Sequence, residues 1–175
     1  MVALNKLRNE HGIPGRLSRH GAITRAVHVI CPGVRETDFP MMIPDYLGLY
    51  GPIVLDPTPI EVADPELNRW LNKAETVLMC MGTHFHYSES QVKAVISGFL
   101  SAVSRRGANT QFLWKLSDKA KFDGLIAEAL KDPRDKERFR IVDWLDADPA
   151  SILKHPNVVV SVHHGGANSY FEGTL

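Results

Sequence analysis

The chain is predicted to fold as an α/β domain, with a Rossmann-like parallel sheet and flanking helices. From residue 73 onward, short apolar runs alternate with segments that suit helices, as in parallel sheets with helical crossovers. Its 175 residues suit one domain with a real core, and 44% hydrophobic and 23% charged residues are ordinary for a globular protein. Such sheets bind ligands beyond the carboxyl ends of their strands, so a site is expected there.

Four apolar runs are predicted to be the strands of this sheet, namely Thr76–Met81, Gln111–Leu116, Phe139–Trp144 and Asn157–Val162. Helices are predicted between them, over Glu89–Ser104, Phe122–Leu130 and Pro149–Lys154. An earlier helix is expected to begin at Asp64-Pro65, because an acidic cap followed by proline is a helix-start signal. The charged run from Lys131 to Arg140 is predicted to be a solvated loop.

The first third of the chain is predicted to lie outside this sheet. Residues 3–11 suit a short helix, and residues 22–31 contain a β-branched run that Pro32-Gly33 ends. Residues 32–65 are rich in proline, glycine and aspartate, as is typical of an extended interdomain linker. We therefore expect three segments, covering residues 1–31, the linker 32–65, and a domain over 66–175.

Composition restricts the partners and the compartment. The formal net charge is zero, which gives no indication of a nucleic-acid partner. No apolar stretch approaches the roughly 20 residues of a membrane-spanning helix, so no membrane segment is expected in this chain. Two cysteines are too few for a disulfide framework, and a reducing, cytoplasmic compartment is the expectation.

The glycine-rich turn after the last predicted strand is the best candidate for a binding site. Gly165 and Gly166 allow the backbone to turn tightly and to approach a ligand closely. Asn168 and Ser169 suit the start of the following helix, where a diphosphate is readily held. His164 adds a hydrogen-bond donor or a positive charge beside such a group.

Residues on either side of the turn complete a nucleotide-binding pattern. Trp144 ends the third predicted strand and offers a flat face on which a base can stack. Glu172 lies one helical turn after the caps and can accept hydrogen bonds from ribose hydroxyls. Gly82-Thr83 follows the first predicted strand and falls at the same edge of the sheet.

The whole stretch, W-L-D-A-D-P-A-S-I-L-K-H-P followed by H-G-G-A-N-S-Y-F-E, resembles the sugar-nucleotide signature of the UDP-glycosyltransferases, which have the GT-B fold. Upstream segments are similar to the family in the same order, including V-L-M-C-M-G-T (77–83) and Q-F-L-W-K-L (111–116). The resemblance implies that Trp144 stacks on uracil, that His164, Asn168 and Ser169 hold the diphosphate, and that Glu172 binds ribose. Gly82-Thr83 stands where the family has Gly-Ser.

The resemblance also implies an activity and a domain assignment. Residues 1–31 correspond to the end of an acceptor-binding domain, 32–65 to the linker, and 66–175 to a donor-binding domain that is incomplete at its carboxyl end. The expected donor substrate is a UDP-sugar, the acceptor a small lipophilic molecule with a hydroxyl, and no cofactor or metal is expected. The family's acceptor-activating residues match no position here, so no catalytic residue is assigned.

Two alternatives stay open at this point. A non-catalytic nucleotide-binding module, or a pseudoenzyme half-domain, would keep UDP binding without transfer. A zinc hydrolase is suggested by Thr83-His84-Phe85-His86, because two histidines two residues apart can chelate a metal. Ser88 and Glu89 then replace the aspartate and histidine that such hydrolases require, which weakens the zinc hypothesis.

Overall fold

The computed structural model describes residues 2–15, 28–36, 39–54, 56–106 and 109–174, and the chain divides into two compact units, Met1–Ile53 and Val54–Leu175. In the smaller unit, helix α1 spans Val2–Glu10, and strands β1 (Val29–Cys31) and β2 (Leu47–Leu49) pair in parallel. Most of the strand predicted over 22–31 lies outside the described residues. Strand β2 falls inside the segment predicted to be a linker.

The larger unit alternates strands and helices along the chain. Its elements are α2 (Ile60–Ala63), α3 (Pro65–Leu71), β3 (Glu75–Cys80), α4 (Glu89–Arg106), β4 (Thr110–Lys115), a 3₁₀ helix (Lys119–Phe122), α5 (Asp123–Ala129), α6 (Pro133–Arg138), β5 (Phe139–Val142), α7 (Pro149–Leu153), β6 (Val158–His163) and α8 (Ala167–Thr174). The strands form one sheet in the order β5-β4-β3-β6, and each pair is parallel. This arrangement confirms the predicted α/β fold.

Three helices begin with the same Asp-Pro pair. The carboxylates of Asp64, Asp132 and Asp148 each accept a hydrogen bond of 2.9 Å from a backbone N–H in the first helical turn, and a proline follows each cap. Asp64 confirms the predicted helix start. The prediction of a loop over Lys131–Arg140 was wrong, because Asp132-Pro133 starts α6 within that charged run.

The core lies on both faces of the sheet because neighbouring strand residues point to opposite sides. On β4, Leu113 packs with one buried cluster, whereas Phe112 and Trp114 pack with the other. Helices α3 and α7 cover the first face through Leu67, Leu71 and Ile152, and α4 covers the second through residues that include Val92 and Ile96. Because β3 and β4 are covered on both faces, a ligand can reach them only at the loops that follow or precede the strands.

Strand β5 is shorter than predicted. Its last ladder bond is donated by the Leu116 N–H to the carbonyl of Val142, at 2.8 Å. Asp143 then turns its carboxylate to the N–H of Lys119, at 3.1 Å. Trp144 therefore lies in the loop beyond the strand rather than at its end. Of the helices in the described residues, none combines the length and apolar character needed to cross a membrane.

Candidate functional site

The carboxyl ends of the four strands form one row across the sheet. Val142 of β5 pairs with Lys115 of β4, Lys115 with Cys80 of β3, and Cys80 with His163 of β6. The loops that leave these strands therefore emerge side by side, about 4.8 Å apart from strand to strand. The predicted site residues on these loops lie at one edge of the sheet, as the sequence pattern implies.

A cleft of about 590 Å³ opens between the loop after β3 and the turn after β6. Six of the predicted site residues line it: Gly82, Thr83, His164, Gly166, Asn168 and Ser169. The cleft is also lined by Met81, His84, Phe85 and Ala167. Backbone N–H groups, hydroxyls, an amide and imidazoles thus surround one cavity, and these groups suit an anionic ligand with several oxygen acceptors.

Two glycines hold the His164 ring in this cleft. A Cβ atom on Gly166 would lie 2.8 Å from His164 Cε1 and closer still to Nε2, and one on Gly82 would lie 3.0 Å from Cε1. Real side-chain carbons do not approach as closely as at Gly166, so a larger residue there would displace the ring, whereas at Gly82 the ring would have to shift by a few tenths of an ångström. Gly82 also has φ +80°, a left-handed conformation that favours glycine. Both glycines therefore leave the space that the imidazole occupies.

The turn into α8 directs a helix N-terminus at the same cleft. Gly165 has φ +77°, and its N–H donates to His163 Nδ1 at 3.2 Å. The helix then starts, with the Tyr170 N–H donating to the carbonyl of Gly166 at 2.9 Å. The first N–H groups of a helix have no acceptor within it and form its positive end. Asn168 and Ser169 thus stand where a diphosphate would be favoured.

Trp144 and Glu172 do not line this cleft. Trp144 is 65% exposed in the loop beyond β5, and the ammonium of Lys115 lies 4.3 Å from its ring centroid. Glu172 is half-buried on α8, and burial together with the nearby charge of Asp148 raises the pKa of its carboxyl. A carboxylate kept partly dry is a common feature of binding sites. The roles predicted for these two residues stay predictions.

The loop after β3 contributes residues that the sequence interpretation missed. Phe85 and His84 line the cleft, although the sequence pattern suggests His84 only as a metal ligand and gives Phe85 no role. Their position directly after Gly82-Thr83, at the end of a strand, is the feature of the sequence that could have identified them as site residues. His86 instead faces Asp118, with 3.4 Å between Nδ1 and Oδ2. Among the described residues, no three or more histidine, cysteine, aspartate or glutamate side chains are grouped so that they could hold a metal ion.

The fold and the cleft define an α/β domain with a polar cleft beyond the carboxyl ends of a parallel sheet. No family model matches the chain. It is similar over 98% of its length to glycosyltransferase sdnJ of Sordaria araneosa, at 38% identity, and over 74% to isoflavone 7-O-glucosyltransferase 1 of Glycine max, at 30%. A transferase from Siraitia grosvenorii, solved in complex with UDP, matches 73% of the chain with 26% identity and a TM-score of 0.52.

The chain belongs to the UDP-glycosyltransferase family, and its parallel sheet is part of a GT-B fold. It spans about a third of the length of its relatives, namely 35% of sdnJ, 28% of the Glycine max enzyme and 31% of the Siraitia grosvenorii chain. The resemblance predicted from the sequence is thus confirmed.

Proposed function

We propose that this chain is the UDP-sugar-binding part of a UDP-dependent hexosyltransferase. The acceptor is a hydroxyl on a small lipophilic molecule, a choice supported by the name of the Glycine max relative, an isoflavone glucosyltransferase. The observation that carries the proposal is the cleft in which His164, Asn168 and Ser169 meet Gly82-Thr83. A cytoplasmic setting is part of the proposal, and the free thiols of Cys31 and Cys80 are compatible with it.

In the proposed binding mode, the diphosphate occupies the cleft and the base extends along the sheet edge toward Trp144. The N-terminus of α8 and the Thr83 hydroxyl donate to phosphate oxygens, and His164 adds a donor or a positive charge. Glu172 accepts from the ribose hydroxyls. Its raised pKa supports this role, because a half-buried carboxyl lacks full solvation until such donors arrive.

The transfer follows from the charge that develops on the departing UDP. The acceptor oxygen attacks the anomeric carbon of the sugar, the bond from that carbon to the diphosphate oxygen breaks, and the acceptor proton passes to a general base. The growing charge on UDP is stabilised by the donors of the cleft, with no metal ion in the scheme. No residue of this chain is assigned as the base.

A UDP-release assay tests the proposal together with the non-catalytic alternative. The chain is incubated with UDP-glucose and a flavonoid acceptor, while calorimetry measures the binding of UDP in parallel. Transfer with UDP release supports a hexosyltransferase. Saturable UDP binding without release assigns this chain to the nucleotide-binding role only. If a folded chain shows neither, the proposal is wrong.

A further inference from the structure

A buried lysine, Lys115, lies at the edge of the sheet that carries the candidate site. Lys115 ends β4, in the interior of the sheet, and is only 7% exposed. Among the ion pairs of the described residues, none includes Lys115. Burying a cation is costly unless something replaces its hydration, so the contact that it does make is informative.

That contact is with the ring of Trp144. The ammonium lies 4.3 Å from the ring centroid, within the range of a cation–π interaction. One face of the ring is therefore occupied by Lys115. Trp144 is nevertheless 65% exposed, so its solvent-exposed area belongs to the opposite face and the ring edges.

This arrangement presents a flat aromatic face to solvent from a loop whose backbone is held on both sides of Trp144, by the bond of the Asp143 carboxylate to the Lys119 N–H and by the buried side chain of Leu145. The contact with Lys115 therefore acts on the orientation of the indole ring itself. The loop follows the last ladder bond of β5, and Trp144 lies two residues beyond that strand. A side chain already held in its binding orientation loses less conformational entropy when a ligand stacks on it.

We propose that Lys115 is a positioning residue for base recognition, because its ammonium backs the Trp144 ring and holds the opposite face ready for the pyrimidine of a nucleoside diphosphate. The inference rests on the proposed function and extends it to a residue outside the cleft. Lys115 stands on the base side, since the cleft for the diphosphate lies between the loop after β3 and the turn after β6. It acts through Trp144 and does not hold phosphate.

Two substitutions separate the charge of Lys115 from its packing. Lys115→Met keeps an unbranched side chain and removes the charge, whereas Lys115→Arg keeps a cation that can stack on the ring. Lys93→Met, on the exposed side of α4, is the control for loss of one positive charge. The affinities for UDP, uridine and pyrophosphate are measured in separate titrations. Acrylamide quenching of tryptophan fluorescence, without ligand, measures how accessible Trp144 is. The Trp144→Phe variant shows which part of the fluorescence comes from Trp144.

We expect Lys115→Met to weaken uridine and UDP binding by the same factor, about 3- to 30-fold, which is the range of a partly desolvated cation–π contact. Pyrophosphate affinity should stay within about twofold of wild type, Trp144 should become more accessible to acrylamide, and Lys115→Arg should restore both properties. Equal losses for pyrophosphate and UDP would make Lys115 a phosphate contact and overturn the inference. Unchanged quenching and unchanged uridine affinity would overturn it too.

The outcomes separate this inference from the proposed function. Wild-type protein that is folded but binds neither UDP nor uridine refutes the proposed function, and the role of Lys115 fails with it. Wild-type protein that binds UDP, with a Lys115→Met variant that binds it equally well, refutes the role of Lys115 alone. A lower melting temperature in both Lys115 variants, without rescue by arginine, would show that the residue is only structural.

Discussion

Gly166→Ala tests whether the glycines of the turn hold His164 in place. Gly166 is not in the left-handed region, so alanine adds no backbone strain there. The new methyl would lie 2.8 Å from His164 Cε1 and closer still to Nε2, a contact that only movement of the ring relieves. The imidazole is a side chain at the protein surface and can rotate away, so we expect little loss of stability and a displaced histidine.

The expected loss of UDP affinity follows from the hydrogen bond that His164 is proposed to donate to the diphosphate. A hydrogen bond to a charged group contributes about 1.5 to 3 kcal/mol, so loss of the His164 contact should weaken UDP binding roughly ten- to hundred-fold. His164→Ala should cause a similar loss. The double variant should be little worse than either single one, because both changes remove the same interaction.

Gly165→Ala is the matched control. Gly165 has φ +77°, and a methyl group added to it would meet no atom within 4 Å, so alanine there strains the backbone without touching the ring. We expect it to cost about 1–2 kcal/mol of stability and to change the UDP affinity of the folded chain by only a few-fold. Calorimetry with UDP and thermal melting measure both quantities. A Gly166→Ala protein that binds UDP as wild type does would refute this account of the turn.

Three further predictions concern stability and association. Burial raises the pKa of Glu172 above 4.5, so the folded chain binds this proton more tightly than the unfolded chain and loses stability as pH rises through that range. Glu172→Gln should therefore raise the melting temperature at pH 7 but not near pH 4. An equal gain at both pH values would contradict the raised pKa. Strand β6 lies at an edge of the sheet and exposes valines, so it can pair with another copy of the chain. Val160→Lys should therefore reduce self-association measured by sedimentation velocity, whereas Val62→Lys on α2 should not. Equal effects of the two substitutions would argue against pairing at this edge. The buried Gln111 amide donates to the Trp70 carbonyl and the Thr76 hydroxyl, both at 2.9 Å, so Gln111→Leu should cost about 1–3 kcal/mol in urea unfolding, and a negligible cost would refute it.

Much of the fold follows from local pattern. Apolar runs of strand length alternate with capped helical segments, and the same Asp-Pro start that predicts a helix at Asp64 recurs at Asp148. The same pair at Asp132 lies within a run of charged residues, which led the sequence pattern to predict a loop where the structure has α6. Strand β2 is only three residues long, within a proline-rich segment, and its pairing with β1 is a tertiary contact that local sequence does not report.

The candidate site was partly predictable for a similar reason. The carboxyl ends of parallel strands meet at one edge, so Gly82, Thr83 and the turn at His164 could be brought together from sequence order alone. The contact of Lys115 with Trp144 was not predictable, since β5 ends earlier than its apolar run suggests and the loop then brings the indole ring centroid within 4.3 Å of an ammonium on the neighbouring strand. Packing of the His164 ring against Gly166 also needs coordinates, because no periodic pattern encodes it.

We propose that the cleft at the carboxyl edge of the sheet binds the diphosphate of a UDP-sugar. Calorimetric titration of the folded chain with UDP, repeated for a His164→Ala variant, tests it most directly. We expect saturable binding with one UDP per chain, weakened roughly ten- to hundred-fold when the imidazole is removed. A folded wild-type chain without UDP affinity, or a variant with undiminished affinity, would contradict it.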